Sequence, residues 1–177
     1  MDKEDLLYQS TVISSGLRLF SELFGYKSLC FVPPNGPFNS ALESVCYNEG
    51  IRYISTPKIH LEPLPGGRKV TRLRWLGKKS SSGITYLTRN CYFEPGQPGK
   101  DWVGSCLSDI SAAFRWRKPA IISSHRVNYI GAIHLSNRTN GLSQLQRLLK
   151  GILRNWPDAR FVTSAELGEL INRKTDV

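Results

Sequence analysis

The first stretch of the chain carries apolar residues at helical spacing. The pattern runs from about Leu6 to Phe24 and stops at Gly25, a residue type that commonly follows the last turn of a helix. A short apolar run from Ser28 to Val32 comes next, bounded by charge and by Pro33-Pro34. The spacing therefore predicts a helix followed by a buried strand.

The same alternation continues through the next segment. Asn39 is placed to cap a helix that ends at Gly50, and Ile51 to Ser55 predicts a second short strand. The order helix, strand, helix, strand is typical of βα units on a parallel sheet.

The middle of the chain has a different, strand-like pattern. Lys69 to Leu76 alternates, with Thr71, Leu73 and Trp75 on one face, and Ile84 to Thr88 is again strand-like. These runs predict a β-ribbon or hairpin of about residues 68–90, inserted into the α/β scaffold. An irregular loop from Arg89 to Lys100 follows.

Helix and strand patterns then return. Trp102 to Phe114 predicts a helix, and Ala120 to Ser124 predicts a buried strand that ends at His125. Three more elements complete the chain: a helix from Asn140 that ends at Trp156-Pro157-Asp158, a strand from Arg160 to Thr163, and a helix capped by Ser164 that reaches about Asn172.

Length and composition are those of one folded domain. With 177 residues and 40% hydrophobic content the chain can bury a core, so residues 1–177 are interpreted as a single α/β unit. No stretch approaches the roughly 20 apolar residues of a membrane span. The charged start, Met1 to Asp5, leads into no apolar signal core, which makes the cytoplasm the default location.

Cysteine and charge add two expectations. Cys30, Cys46, Cys91 and Cys106 form no Cys-x-x-Cys pair and have no histidine at metal-ligand spacing, so we expect reduced packing residues and no metal site. A net charge of +10, with six cations between Arg68 and Lys79, opens a nucleic-acid hypothesis. A second basic cluster spans 115–118, but no nucleic-acid fold motif accompanies either one, and nucleic acid is an unlikely partner.

His125 is the strongest candidate for chemistry. Active-site groups of parallel α/β proteins lie at the carboxyl ends of strands, where His125 is predicted, and imidazole changes charge near neutral pH. A purely structural, hydrogen-bonded histidine remains the alternative. Around it we predict a substrate-binding set that follows other strand-like runs or His125 itself: Arg89, Asn90, Glu94, Arg126, Asn128 and Asn35.

Three segments resemble motifs of the polysaccharide deacetylase-like family. Lys118 to Tyr129 resembles its closing motif, Trp156 to Ser164 resembles the strand and helix that end its domain, and Phe31 to Gly36 resembles its arginine-and-proline motif, without the arginine. Their order and spacing agree with the family over nearly the whole chain. The resemblance implies a distorted (β/α) barrel, of which this chain would form the C-terminal part.

The same resemblance implies a metal-dependent hydrolase of N- or O-acetyl groups on glycans. His125 would be its acid, and a divalent metal, often zinc, would be held by an aspartate and a His-x-x-x-His pair. This chain has only His60, His125 and His134, so we expect no metal from it and no activity from the chain alone. It would be either a fragment or a divergent member of the family, with a missing N-terminal half or a homo-oligomer as its partner. The alternative function is a non-catalytic carbohydrate- or nucleic-acid-binding protein that uses its basic ribbon.

Overall fold

The structure is a computed structural model that describes residues 3–34 and 36–175, with the side chains of 174 and 175 excepted. Its mixed α/β chain divides into unit 1, Met1–Thr88 with Val162–Val177, and unit 2, Arg89–Phe161. The helices are α1 (Lys3–Phe24), α2 (Glu43–Asn48), α3 (Trp102–Arg115), α4 (Leu135–Asn155) and α5 (Ser164–Thr175). The strands are β1 (Cys30–Phe31), β2 (Tyr53–Thr56), β3 (Ile59–Pro63), β4 (Lys69–Leu73), β5 (Thr85–Thr88), β6 (Cys91–Tyr92) and β7 (Ile122–Ser123).

Unit 1 is built on a parallel sheet with the strand order β1-β2-β5. Asn39 caps the turn that leads into α2, accepting a hydrogen bond from the Ala41 amide at 2.8 Å, as its side chain predicts. Helix α5 lies close against β2, since a Cβ at Gly168 would collide with the Tyr53 ring. The core between sheet and helices consists of Phe38, Leu42, Cys46, Ile51, Ile54, Ile84 and Tyr86.

The β-ribbon pairs differently from its prediction. Strand β4 pairs antiparallel with β3, so the ribbon begins at Ile59 and not near residue 68. Strand β5 belongs to the parallel sheet instead, although Lys79 forms an antiparallel bridge with Thr85. All four residues of β5 are buried, and burial on both faces suits a strand inside a covered parallel sheet better than one in an exposed ribbon.

Two cations of the ribbon form ion pairs inside unit 1. The Arg72 guanidinium is 2.7 Å from the Glu62 carboxylate, and Arg74 lies 3.5 Å from Glu43 and over the ring of Tyr86. Burial opposes ionisation of Glu62, but hydrogen bonds from Ser40 and Arg72 outweigh burial and hold its pKa below the usual range. These arginines therefore serve the fold, which weakens the case for a polyanion-binding ribbon.

Unit 2 is built around two short parallel strands. Strand β6 pairs with β7 in the register Cys91↔Ile122 and Tyr92↔Ser123, and α3 and α4 cover the pair. Its core consists of Cys91, Phe93, Val103, Cys106, Ile110, Leu148 and Ile152. In the part of the chain that the structure describes, the sheets do not close into a barrel. The partial barrel and the single α/β unit over residues 1–177 both stay predictions.

Other predicted elements also differ from the structure, among them the irregular loop from Arg89 to Lys100, which contains strand β6. Residues 160–163 form no strand, because Phe161 and Val162 are exposed and have no partner strand to complete a ladder. Helix α4 begins at Leu135, before Asn140, so its first turns lie outside the apolar stripe that predicted it. Helix α5 is capped by Thr163, which exchanges hydrogen bonds with Glu166 in a capping box one residue before Ser164.

No helix among residues 3–34 and 36–175 is long and apolar enough to cross a membrane. Helix α1 is nevertheless rich in exposed apolar side chains and contains no buried residue. Leu7, Tyr8, Leu19, Leu23 and Phe24 are each more than half exposed. Strand β1 beside it has only β2 as a partner in the described sheet and is flanked by exposed Leu29 and Val32, so it is not buried on both faces as its sequence predicts. Contiguous exposed apolar surface is typical of faces that associate, and the homo-oligomer stays a prediction.

We expect the double substitution Leu19→Lys and Leu23→Lys to shift the protein toward monomer without lowering its melting temperature. Both side chains are exposed, 53% and 70%, so the folded unit loses little buried area while the associating surface gains charge. Size-exclusion chromatography with light scattering, together with calorimetry, measures both effects. A sharp monomer peak already in the unsubstituted protein would contradict the expectation.

Candidate functional site

The register of β6 and β7 brings Glu94 beside His125. The two strands pair Cys91 with Ile122 and Tyr92 with Ser123. The Phe93 amide then donates a hydrogen bond to the Ser123 carbonyl, and the next residues along the two strands are Glu94 and, after Ser124, His125. Both follow the carboxyl ends of parallel strands, which is where sheets of this kind present functional groups. A loop from each strand thus contributes one half of an acid–base pair.

His125 is held by the carboxylate of Glu94. Its Nδ1 lies 2.7 Å from Glu94 Oε1, while the ring remains 70% exposed and the carboxylate only 10% exposed. An ionised carboxylate only accepts hydrogen bonds, so Nδ1 carries the proton in this contact. The second ring nitrogen, Nε2, is left as the atom available for proton exchange with a bound molecule.

Asn128 donates hydrogen bonds to both members of the His125–Glu94 pair. This residue is 2% exposed, and its Nδ2 donates to Glu94 Oε2 at 2.7 Å and to the His125 carbonyl at 2.8 Å. Its Oδ1 accepts from the Gly96 amide at 2.9 Å. One buried amide therefore ties the loop after β6 to the loop after β7 and holds the orientation of the carboxylate. Glu94 and Asn128 thus orient His125 through hydrogen bonds, and their predicted contact with substrate stays a prediction.

Helix α4 fixes the turn that carries His125. A Cβ at Gly141 would collide with the Asn128 carbonyl oxygen, so helix and turn are in direct backbone contact. Asn137 Nδ2 donates to the carbonyls of Val127 at 2.7 Å and Ile130 at 2.9 Å. Sequence reasoning missed Gly96, Asn137 and Gly141, since a glycine or asparagine in a helix or loop gives no sign of the distant backbone it meets.

The other predicted residues that the structure describes have contacts of their own. Asn90 precedes β6, and its side chain bonds to the Pro119 carbonyl and the Ile121 amide, so it fastens the opposite end of the strand pair. Arg89 donates to Ser123 Oγ at 3.2 Å, and its buried Nε has no hydrogen-bond partner among the described residues. Arg126 is exposed, and Asn35 lies outside the described residues.

Neither the four thiols nor a metal-binding group among the described residues adds to the site. All four cysteines are free, and burial raises the pKa of Cys46 and Cys91 to about 12 and that of Cys106 to about 11, which is unsuited to a nucleophile. Among the residues described, no group of three or more His, Cys, Asp or Glu side chains could hold a metal ion. The metal implied by the resemblance therefore finds no ligand set here, and no proposed step passes through it.

Comparison with known proteins returns no relative: no family model, no curated protein and no solved structure matches the chain.

We expect Asn128→Ala to destabilise unit 2 by about 2–4 kcal/mol, because it leaves the Glu94 carboxylate oxygen and the Gly96 amide without their buried partner. Chemical denaturation followed by tryptophan fluorescence measures the loss. Asn155→Ala, an exposed asparagine at the end of α4, is the matched control and should change stability by less than about 0.5 kcal/mol. Equal stability of both variants would show that the Asn128 contacts contribute nothing.

Proposed function

We propose that the chain carries the proton-transfer part of a glycan deacetylase-like hydrolase, with His125 as the acid. The observation that carries the proposal is the 2.7 Å contact between His125 Nδ1 and Glu94, made by a ring that is otherwise exposed. Such an arrangement, a carboxylate behind an imidazole, sets the tautomer and stabilises the charged ring. The glycan and the acetyl group in the proposal come from the resemblance of the closing motif.

The chemistry assigned to the site is one proton movement. When water adds to an acetyl carbonyl and the bond to the sugar nitrogen or oxygen breaks, that leaving atom needs a proton. His125 Nε2 supplies it, while Nδ1 keeps its hydrogen bond to Glu94. Glu94 accepts the hydrogen bond from Nδ1 and so stabilises the imidazolium before transfer. Asn128 keeps the carboxylate turned toward the ring.

The ring resonances of the histidines test the proposal directly. We expect an N-acetylated chitooligosaccharide to shift the 1H–15N signals of His125 in a long-range correlation spectrum. His60 serves as an internal control, since it is 3% exposed and hydrogen-bonded to Thr56 and Phe38 in unit 1. The same spectrum should show His125 with its proton on Nδ1, and Glu94→Gln should weaken that preference because the amide can also donate.

Two results would reject the proposal. One is an unperturbed His125 at millimolar oligosaccharide. The other is a His125 tautomer that is the same in the Glu94→Gln variant, which would mean that the carboxylate does not control the ring. An oligonucleotide that binds through the ribbon instead would favour the alternative of a binding protein.

The 177-residue chain by itself is expected to release no acetate and to hold no stoichiometric zinc. A zinc site needs three or four suitably placed ligands, and the described residues offer no such group. Metal analysis of the purified chain and an acetate assay with acetylated chitooligosaccharide, each with and without added zinc, measure this. One zinc per chain, or acetate release that His125→Gln abolishes, would show that the chain contains a complete catalytic site.

A further inference from the structure

Helix α3 ends with an arginine in a backbone conformation that favours glycine. The amide of Arg117 donates to the Phe114 carbonyl and that of Lys118 to the Ala113 carbonyl, both at 2.9 Å, the pattern of a Schellman motif. Arg117 has a φ of 53°, and no other non-glycine residue that the structure describes has a positive φ. Because a Cβ is strained there, the fold does not explain an arginine at this position.

Arg117 lies in an exposed cluster of cations around one indole. Arg115, Trp116 and Lys118 are all exposed, and Trp116 is 78% exposed. Helices α3 and α4 end side by side, since the rings of Phe114 and Trp156 meet edge to face with their centroids 5.2 Å apart. Two more exposed arginines flank Trp156 in the sequence. We call this surface the cationic tip: Arg115, Trp116, Arg117, Lys118, Arg154 and Arg160.

The tip carries five cations, and the exposed Asp158 is the carboxylate nearest to them in the sequence, between Trp156 and Arg160. Between Asp109 and Asp158 the sequence has eight Lys and Arg residues and no Asp or Glu. In the ribbon of unit 1, Arg72 and Arg74 are paired with carboxylates, whereas Arg68, Lys69 and Lys79 are exposed. A strained cation, an exposed indole and an excess of positive charge thus coincide at one end of unit 2.

We propose that the cationic tip docks unit 2 on the surface of an anionic phospholipid bilayer. Indole rings favour the boundary between headgroups and acyl chains, and each surrounding cation gains from the negative surface potential. A single-stranded nucleic acid would instead be expected to occupy a groove with successive stacking aromatics. At the tip one indole projects from helix ends among cations, which favours the bilayer.

Docking at the tip leaves the histidine accessible. Lys118 precedes the segment that contains β7, whereas His125 follows it, so the two lie at opposite ends of that extended segment. A bilayer in contact with the tip would therefore not cover the ring. The proposal does not depend on the function proposed for His125.

The test is co-sedimentation of the purified protein with large unilamellar vesicles. We expect binding to vesicles of phosphatidylcholine and phosphatidylglycerol in equal parts, none to phosphatidylcholine alone, and loss of binding at high salt. Arg117→Gly should weaken binding about fivefold, the factor that one surface cation contributes. Its melting temperature should be unchanged or higher, because glycine relieves the strain. Asparagine also tolerates a positive φ, so Arg117→Asn should show the same loss of vesicle binding and the same melting temperature as Arg117→Gly.

Matched controls come from the ribbon of unit 1. Lys79→Ala removes one exposed cation and Trp75→Ala removes one exposed indole, 58% exposed, outside the tip. Neither should alter vesicle binding, whereas Trp116→Ala should reduce it several-fold. Equal losses in the ribbon and tip variants, or no binding to anionic vesicles, would overturn the proposal. A salt-resistant oligonucleotide complex lost in Arg117→Gly, without vesicle binding, would assign the tip to nucleic acid instead.

Discussion

The buried carboxylate of Glu94 requires a hydrogen-bond donor for each of its oxygens, and the organisation of unit 2 follows from that requirement. One donor is the His125 ring and the other is the Asn128 amide, and both come from the segment after β7. Since β6 and β7 are only two residues long, their few ladder bonds alone would hold the register weakly. The side-chain network therefore fixes the two loops against each other. The missing side chain of Gly141 also allows α4 to contact the backbone of Asn128 in the turn after His125.

The three residues of this network differ in solvent exposure: Glu94 and Asn128 are buried, whereas the His125 ring is exposed. Glu94 and Asn128 are almost inaccessible, so they act through their contacts with His125, whose ring is the part that can meet a bound molecule. A buried polar network of this kind is stable only when each member is satisfied, and here every polar atom of the Asn128 side chain has a partner. The exposed ring of His125 is consequently held in place by residues that are themselves almost inaccessible.

The two units use their positive charge differently. In unit 1, Arg72 and Arg74 reach buried or nearly buried carboxylates, so the basic ribbon is part of the fold. In unit 2 the cations at the ends of α3 and α4 remain exposed, and one of them occupies a strained backbone position. The overall charge of +10 therefore says little by itself, because the distribution of carboxylates decides which cations can bind a partner.

The sequence by itself determined the helices and most core strands, since α1, α3 and the strands leading to Thr56 and Ser123 have clear apolar periodicity. It also placed His125 after a strand and pointed to Glu94. Only the tertiary structure decided that β4 pairs with β3, that residues 160–163 form no strand, and that Asn90 lies away from Glu94. Strand pairing and side-chain partners depend on contacts between residues far apart in the chain, and local patterns carry no information about which distant backbone or carboxylate a side chain will meet.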